Sequence, residues 1–335
     1  MTAAAVSTAP EPRFVLLHAA AASDDFGRDV RAGLTASPKT LPPRWFYDSL
    51  GSSLFDAICF LPEYYVMRAE AEVLTSFATE IAASLGTDLR LVELGSGAAR
   101  KTRILLDPLT ETQPALEYVP IDIDAAMLER SGRDLLSEYP QLRVTAIASD
   151  FSQPSVPLAR LPRHRGRTVV LFLGSTIGNL DPEAAVAMLR DLRGALAPGD
   201  ALFLGADLRK SRAILEPAYD DPLGVTAAFN RNLLVRMNRE LGADFALDAF
   251  THRAFYDETH GRIEMHLVST RAQRVRIDAL ALEVDFAEGE TIHTESSYKH
   301  DASTLAALAA KTGFVIYSTW TDARSWFADT LLVAE

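Results

Sequence analysis

The sequence predicts an α/β protein that combines a doubly wound, Rossmann-like parallel sheet with a second, smaller α+β unit. Three observations support this prediction. A glycine turn follows an apolar strand at residues 89–94, strands and helices alternate from there to residue 205, and antiparallel strands follow after residue 250. Strands separated by helices of about 10–15 residues are typical of parallel sheets with right-handed crossovers.

The turn Glu93-Leu-Gly-Ser-Gly97 opens the predicted sheet. Glycine allows a sharp turn and lets a ligand approach the backbone closely. A Gly-x-Gly turn alone also occurs in dinucleotide sites and in ordinary turns. Here Arg100 stands where a dinucleotide fingerprint has its third glycine, and Glu93 is a polar residue at a buried strand end. These two details modestly favour an S-adenosylmethionine (AdoMet) site over another nucleotide site.

Further strands are predicted at residues 116–123, 142–148, 167–173 and 201–205, with helices at 125–139 and 182–196 between them. Ligands of such sheets bind outside the carboxyl ends of the strands. Four successive ends carry polar residues or glycines, namely Glu93 with Gly95, Asp122, Asp150, and Gly174 with Asn179. This clustering is far more specific than the glycine turn alone.

Each chemical group of AdoMet finds a complement among these residues. Gly95-Ser96-Gly97 allows close backbone approach, and Lys101 can reach the methionine carboxylate. The Asp122 carboxylate can accept both ribose hydroxyls, while Asp150 accepts from the adenine amino group and Phe151 stacks on the ring. Each acid taken singly fits a helix cap or a loop better. Their joint placement at consecutive strand ends favours the ligand interpretation.

The rest of the chain completes two units. Helices are predicted at 26–34, 52–60 and 67–84, aromatic loops at 37–48 and 61–65, a largely helical stretch at 213–241 and antiparallel strands at 250–286. A helix at 302–312 precedes a closing hairpin at 314–320 and 326–335. Such a hairpin after five parallel strands is typical of the seven-stranded class I methyltransferase sheet. We therefore assign residues 66–212 plus 300–335 to an AdoMet-binding methyltransferase domain, 13–65 plus 213–299 to a substrate-binding domain, and 1–12 to a flexible tail.

Composition narrows the possible partners and locations. The 335 residues include 45 acidic and 33 basic side chains, a net charge of −12, which argues against nucleic acid or an anionic membrane as partner. No apolar run is long enough to span a membrane, and the first residues lack the pattern of a signal peptide. The single cysteine, Cys59, forms no intramolecular disulfide, and we therefore expect a cytoplasmic protein. We also expect a monomer.

No cluster of cysteine and histidine has metal-ligand spacing, so we expect no metal. His252, His260 and His266 come closest, but turn and strand positions favour structural or surface roles for them. Cys59 lies among apolar residues and is expected to be a structural thiol and not a nucleophile. Methyl transfer from a sulfonium needs neither a metal nor a covalent intermediate, so positioning of the nucleophile and control of its protonation would carry the catalysis.

From about Arg28 to its end, the chain resembles the AdoMet-dependent histidine Nα-methyltransferases of ergothioneine biosynthesis. The resemblance rests on stretches that include Leu41-Pro-Pro-Arg-Trp-Phe-Tyr-Asp48, Leu61-Pro-Glu-Tyr-Tyr65, Phe172-Leu-Gly-Ser-Thr-Ile-Gly-Asn-Leu180 and Gly224-Val-Thr-Ala-Ala-Phe-Asn-Arg-Asn232. It implies trimethylation of the α-amine of L-histidine to hercynine, with S-adenosylhomocysteine as the second product.

The resemblance also implies a substrate pocket. Asn179 and Tyr219 would hold the histidine carboxylate, with the Gly174 backbone beside the α-amine. Glu295 and Ser297 would hydrogen-bond the imidazole. The remaining pocket residues would be aromatic or apolar: Tyr47, Phe55, Tyr64 and Met265.

Without the resemblance, Glu295 would be interpreted as a surface strand residue, and Tyr47 and Tyr64 as core aromatics. Tyr298 and His300 depart from the family pattern and leave the fine-tuning of substrate choice open. Two alternatives remain at this point: a methyltransferase of another amino acid or small amine on the same scaffold, and a non-catalytic AdoMet-binding module.

Overall fold

The computed structural model describes residues 13–18, 26–152 and 154–335. The tail predicted for residues 1–12 lies outside the described residues. Two sheets organise the described part of the chain: a sheet of eight strands and a sheet of four strands, with a two-stranded ribbon beside them.

The large sheet confirms the predicted class I topology. Its strands are β1 (Phe14–His18), β3 (Leu89–Leu94), β4 (Leu116–Asp122), β5 (Leu142–Ala148), β6 (Arg167–Phe172), β7 (Ala201–Asp207), β13 (Phe314–Thr321) and β14 (Phe327–Ala334). They lie in the order β1-β5-β4-β3-β6-β7-β14-β13. Strand β14 runs antiparallel to β7 and to β13, as the predicted hairpin requires, and the other pairs are parallel.

Helices cover both faces of this sheet. They are α3 (Val66–Leu85), α4 (Thr102–Thr112), α5 (Ala125–Glu138), α6 (Ser155–Leu158), α7 (Pro182–Ala195) and α10 (Ala302–Thr312). Apolar residues of α3, α4 and α5 form one core with the sheet, and those of α7 and α10 form another on the opposite face. Every residue of β3 is buried, as expected for a central strand covered on both faces. None of the described helices combines the length and the apolar character needed to cross a membrane.

The four-stranded sheet belongs to the second unit. Its strands are β2 (Lys39–Thr40), β8 (Phe250–Asp257), β9 (Arg262–Ser269) and β12 (Thr291–Tyr298), in the order β2-β12-β9-β8. The ribbon is formed by β10 (Gln273–Ile277) and β11 (Leu282–Phe286), and the helices are α1 (Phe26–Thr35), α2 (Ser49–Cys59), α8 (Arg212–Leu215) and α9 (Val225–Leu241). Apolar residues of α1, α9 and β9 meet in one core, so residues from the two halves of the sequence fold together here.

One assignment made from the sequence is wrong. Residues 13–18 were placed in the second unit, but β1 pairs in parallel with β5 at the edge of the large sheet, with Phe14 opposite Val144. The Arg13 guanidinium strengthens this edge by donating hydrogen bonds to the carbonyl oxygens of Leu142 and Tyr139 at 3.2 and 2.8 Å. The partner strand lies more than a hundred residues away, so the local apolar pattern gives no sign of the pairing.

Gly51 in α2 provides a test of how tightly the second unit is packed. A Cβ at this position would lie 1.7 Å from the carbonyl oxygen of Phe46, a backbone atom that cannot move aside on its own. We expect Gly51→Ala to lower the free energy of unfolding by about 2 kcal/mol, measured by chemical denaturation. Gly194→Ala is the matched control in α7, because no atom lies within 4 Å of its added Cβ. It should be neutral or raise stability by up to about 1 kcal/mol; equal losses in both variants would contradict the packing argument.

Candidate active site

The glycine turn after β3 meets the end of β4. Gly95 and Gly97 have φ angles of +70° and +49°, a region that favours glycine. The Gly97 N–H donates to Asp122 Oδ2 at 2.9 Å, which fixes the carboxylate against the turn. The Phe151 ring lies 3.2 Å from the position that a Gly95 Cβ would occupy. The structure therefore brings Gly95, Gly97, Asp122 and Phe151 together with the buried Ser96.

Glu93 lies beneath this turn. Its Oε2 atom accepts hydrogen bonds from Thr102 Oγ1 at 2.5 Å and from the Tyr118 hydroxyl. Burial raises the pKa of the Glu93 carboxyl to about 7 despite these donors. Because Thr102 is the first residue of α4, Glu93 ties the strand end to the helix that follows the turn. Its contacts support the turn from within the protein, and a direct contact with a cofactor stays a prediction.

Asp150 lies at the end of β5, where the sequence predicted a contact with adenine. Its Oδ1 accepts from the Ser152 N–H at 2.8 Å, and its Oδ2 lies 3.5 Å from the Arg44 guanidinium. Arg44 belongs to a short 3-10 helix, Pro43–Phe46, in the second unit. The second unit therefore reaches over the strand end on which Asp150 lies.

Lys101 lies between the glycine turn and the end of β6. Its ammonium group forms an ion pair with Glu70, a fully buried residue of α3. The other oxygen of Glu70, Oε1, accepts from the Gly174 N–H at 2.7 Å. The Lys101 Nζ atom is 3.2 Å from the position of a Gly174 Cβ, so Lys101 adjoins both the predicted cofactor residues and a predicted substrate residue.

Most of the predicted substrate residues converge on one pocket. Glu295 of β12 is the cross-strand partner of Met265 in β9. The Tyr219 hydroxyl and Ser297 Oγ are 2.9 Å apart. A chain of edge-to-face ring contacts leads from there outward, with centroid distances of 6.2 Å for Tyr64–Tyr219, 6.1 Å for Phe55–Tyr64 and 5.6 Å for Tyr47–Phe55.

The Glu295 carboxylate is the unusual group in this pocket. The residue is only 7% exposed, and its carboxylate makes no hydrogen bond or ion pair with another residue of the described chain. Burial raises its carboxyl pKa to about 7, although the positive charge of Lys299 acts in the opposite direction. A buried carboxylate without a partner is costly, so this side chain is prepared for a polar ligand.

Asn179 ends the turn that follows β6. Gly174 has a φ angle of +76°, and a short 3-10 helix, Thr176–Asn179, follows it. A Cβ at Gly178 would lie 2.7 Å from the Tyr298 carbonyl oxygen, so this turn packs closely on β12. The half-buried Asn179 side chain makes no hydrogen bond within the described part of the chain and is free to bind a ligand.

Lys299 and Asp207 belong to the site but were missed in the sequence. Lys299 follows β12 on the face of Glu295 and Ser297, and its ammonium group contacts both Ser297 and Tyr219 at 2.8 Å. It also lies 2.8 Å from Asp207, the last residue of β7. Alternate residues of a strand lie on the same face, so the position of Lys299 two residues after Ser297 could have indicated that Lys299 belongs to the site. Asp207 was not identified as a site residue because the predicted strand ended at residue 205, two residues before it.

Tyr298 and His300, the two departures from the family pattern, make no side-chain hydrogen bond to the named pocket residues. The Tyr298 hydroxyl donates to Asp181 Oδ1 at 2.9 Å and accepts from Arg262 on the other face of β12. Burial lowers the pKa of His300 to about 4, so its imidazole is neutral at physiological pH.

The histidines named in the sequence are dispersed. His252 contacts the Tyr219 carbonyl oxygen at 2.8 Å, and His260 contacts Asp257. His266 lies with His293 and Glu264, and their possible ligand atoms are within 4.8 Å of one another. In that group, however, Glu264 is already engaged by the Arg262 guanidinium. Burial raises the pKa of the Cys59 thiol to about 11, which disfavours a nucleophilic thiolate.

Comparison with known proteins shows to which family the chain belongs. A family described as histidine-specific, SAM-dependent methyltransferases matches residues 26–334. Histidine N-alpha-methyltransferase of Mycolicibacterium smegmatis is 49% identical over 317 residues, 95% of this chain and 97% of the relative. The protein of the same name from Mycobacterium tuberculosis is 47% identical over 304 residues, 91% and 93% of the two chains. Ergothioneine biosynthesis protein 1 of Neurospora crassa is 28% identical over 287 residues, 85% of this chain and 32% of that protein.

The family match spans nearly the whole described chain, and two relatives are nearly half identical over more than 90% of their length, so the chain belongs to the AdoMet-dependent, histidine-specific methyltransferases.

Proposed function

We propose that this chain transfers methyl groups from AdoMet to the α-amine of L-histidine and produces the trimethylated betaine hercynine, the first step of ergothioneine biosynthesis. The family match and the names of the bacterial relatives support the reaction. The single structural observation that carries it is Glu295, a buried carboxylate without a partner in the described chain, next to Met265.

In this proposal Glu295 and Ser297 bind the imidazole of the substrate. An imidazole offers two ring nitrogens, so one can share a proton with Glu295 while the other hydrogen-bonds Ser297. Phenylalanine or leucine would leave the Glu295 carboxylate buried and unpaired, a large penalty against these substrates. The cost of that unpaired group is the source of the selectivity.

At the other end, Asn179 and Tyr219 hold the substrate carboxylate, and the Gly174 backbone lies beside the α-amine. The Tyr219 hydroxyl is buried and already oriented by Ser297 and Lys299. Tyr47, Phe55 and Tyr64 line the pocket with aromatic surface, which limits hydration of the substrate between its two polar ends.

The cofactor residues fit AdoMet in charge and shape. The positive φ angles at Gly95 and Gly97 leave room for close backbone approach, and nothing lies within 4 Å of a Gly97 Cβ position. Asp122, held by Gly97, would accept the ribose hydroxyls, and Lys101 would offer its charge to the methionine carboxylate. Asp150 and Phe151 would bind the adenine.

AdoMet supplies an electrophilic methyl group on a positive sulfur. In each transfer the nitrogen lone pair forms the new C–N bond as the C–S bond breaks and its electrons go to sulfur. The protein must therefore bind the amine in its neutral form and in line, and three transfers release three protons to solvent. A poorly hydrated pocket with a nearby sulfonium lowers the amine pKa, so the chain needs no dedicated base.

We further propose that the two units act as domains with the substrate between them. The methyltransferase domain comprises residues 66–212 and 300–335, with β1 added to its sheet, and the substrate domain comprises 26–65 and 213–299. The pocket side chains support this division, since Asn179 follows β6 of the large sheet whereas Glu295 and Met265 lie in the small sheet.

A panel of amino acids tests the proposed reaction. Pure protein is incubated with AdoMet and each of the twenty amino acids, and products are identified by mass spectrometry. We expect a mass gain of three methyl groups with histidine alone. Transfer to another amino acid, or AdoMet binding without any transfer, would contradict the proposal.

The role of Glu295 is tested by Glu295→Ala. Loss of the imidazole partner should raise KM for histidine by about 10-fold or more, as expected for the loss of a hydrogen bond to a charged group. The Kd of AdoMet, measured by calorimetry, should stay within about twofold. Asp122→Asn is the matched counterpart and should weaken AdoMet binding while sparing the KM for histidine. Equal losses of both affinities in Glu295→Ala would refute the assignment.

The raised pKa of Glu295 also predicts how the free energy of unfolding depends on pH in the absence of substrate. Its carboxyl pKa is raised from 4.5 to about 7 in the folded protein. Folding therefore favours the protonated form, and the stability contributed by that form is lost as the pH rises through 7. Glu295→Gln carries no charge, so its free energy of unfolding relative to the wild type should increase between pH 5 and pH 8, by up to about 3 kcal/mol. Denaturation at several pH values measures the difference; a difference that does not change with pH would contradict the predicted shift.

A further inference from the structure

Lys299 lies behind the substrate pocket and is completely buried as a side chain. Its ammonium group donates hydrogen bonds to the Tyr219 hydroxyl and to Ser297 Oγ, each at 2.8 Å. It also lies 2.8 Å from Asp207 Oδ2. Tyr219 and Ser297 are the residues assigned above to opposite ends of the substrate, so one buried cation contacts both.

The number of protons in this group is fixed. An ammonium has three N–H donors and no acceptor, and Lys299 has three oxygen neighbours, so all its donors are used. The oxygens of Tyr219 and Ser297 both accept from Lys299 and lie 2.9 Å from each other. One of their two hydroxyl protons fills this mutual hydrogen bond. The other proton remains for the substrate.

The substrate decides which hydroxyl keeps that proton. A carboxylate only accepts hydrogen bonds, so Tyr219 must donate to it. Ser297 then donates to Tyr219, and its remaining lone pair can only accept. If Tyr219 donated to Ser297 instead, the Tyr219 oxygen would face the substrate carboxylate without a free proton, which is unfavourable.

We propose that Lys299 is a positioning residue: by donating to both hydroxyls it leaves them one free proton, so that with substrate bound Tyr219 donates to the carboxylate and Ser297 accepts from an imidazole N–H. This inference rests on the proposed function and deepens it. It follows that the ring nitrogen facing Ser297 is protonated, and that the other ring nitrogen shares a single proton with Glu295.

Asp207 keeps Lys299 charged in its buried position. Burial lowers the pKa of Lys299, but the Asp207 carboxylate and the Tyr219 hydroxyl together outweigh burial and raise the pKa above its ordinary value. Asp207 is itself fully buried and bonded by Lys210 at 2.5 Å and by the Tyr65 hydroxyl. Lys210 thus shares the carboxylate with Lys299, but it has no hydrogen bond to Tyr219 or Ser297, which makes it a matched control.

Lys299→Met retains a long side chain but loses all three N–H donors. We expect KM for L-histidine to rise at least 30-fold, while the Kd of AdoMet stays within about twofold. L-Histidinol lacks the carboxylate. The ratio of kcat/KM for L-histidine to kcat/KM for L-histidinol, which measures the preference for L-histidine, should therefore fall at least 10-fold relative to the wild type. Lys210→Met should keep the wild-type preference. A structural defect alone would not change this ratio selectively.

Two results would overturn the inference: a Lys299→Met enzyme that binds AdoMet and keeps KM for histidine within threefold, or an equal rise of KM for histidine and histidinol. If the wild type does not methylate histidine, the proposed function itself fails, and that result is separate from either of these.

If Lys299→Met does not fold, ¹⁵N NMR tests the inference on folded proteins that retain Lys299. Ring-labelled L-histidine is bound with S-adenosylhomocysteine to the wild type and to Ser297→Ala. The nitrogen whose signal changes on removal of Ser297 should be protonated in the wild type. An unprotonated nitrogen at that position would overturn the inference.

Discussion

The ion pair between Asp207 and Lys299 joins the two halves of the molecule. Asp207 is the last residue of β7 in the eight-stranded sheet, whereas Lys299 follows β12 of the four-stranded sheet. Both side chains are fully buried. Removing one partner of a buried pair leaves the other charge without compensation and typically costs about 3–5 kcal/mol. Lys210 and the Tyr65 hydroxyl complete the group from adjoining segments. This buried contact helps to fix the relative position of the two sheets, and therefore of the cofactor and substrate residues.

The two ends of the site are built on different physical principles. The cofactor end uses backbone geometry: the glycine turn, the strand end at Asp122 and the support from Glu93 beneath the turn. The substrate end uses polar side chains, and two of them, Glu295 and Asn179, have no hydrogen-bond partner within the described part of the chain. Glu295 is the clearest example, because burial raises its carboxyl pKa and, in the proposed complex, a ligand with a matching proton would offset its desolvation.

Local pattern predicted the elements well but not the long-range contacts. The strand at Leu89–Leu94 and the helix at Ala302–Thr312 have the bounds expected from their apolar periodicity and end signals. Strand β1 was misassigned because its partner β5 is distant in sequence. The sequence of the strand Thr291–Tyr298 is mostly polar and gives no sign that Glu295 is buried, so only the family resemblance marked it as a site residue. Lys299 carried no signal beyond its alternation with Ser297, because the charge that stabilises it comes from Asp207, about ninety residues earlier in the chain.

Trimethylation imposes one further constraint on this architecture. The α-amine loses a hydrogen-bond donor with each of the first two transfers and becomes a fixed cation with the third, so contacts at the amine cannot hold all the intermediates equally well. The carboxylate and the imidazole, in contrast, do not change. A pocket in which Lys299 leaves one free hydroxyl proton, and the substrate carboxylate takes it from Tyr219, would bind each intermediate by the same contacts. The amine is then free to rotate and present its lone pair, and a polar contact that gripped it firmly would slow the later transfers.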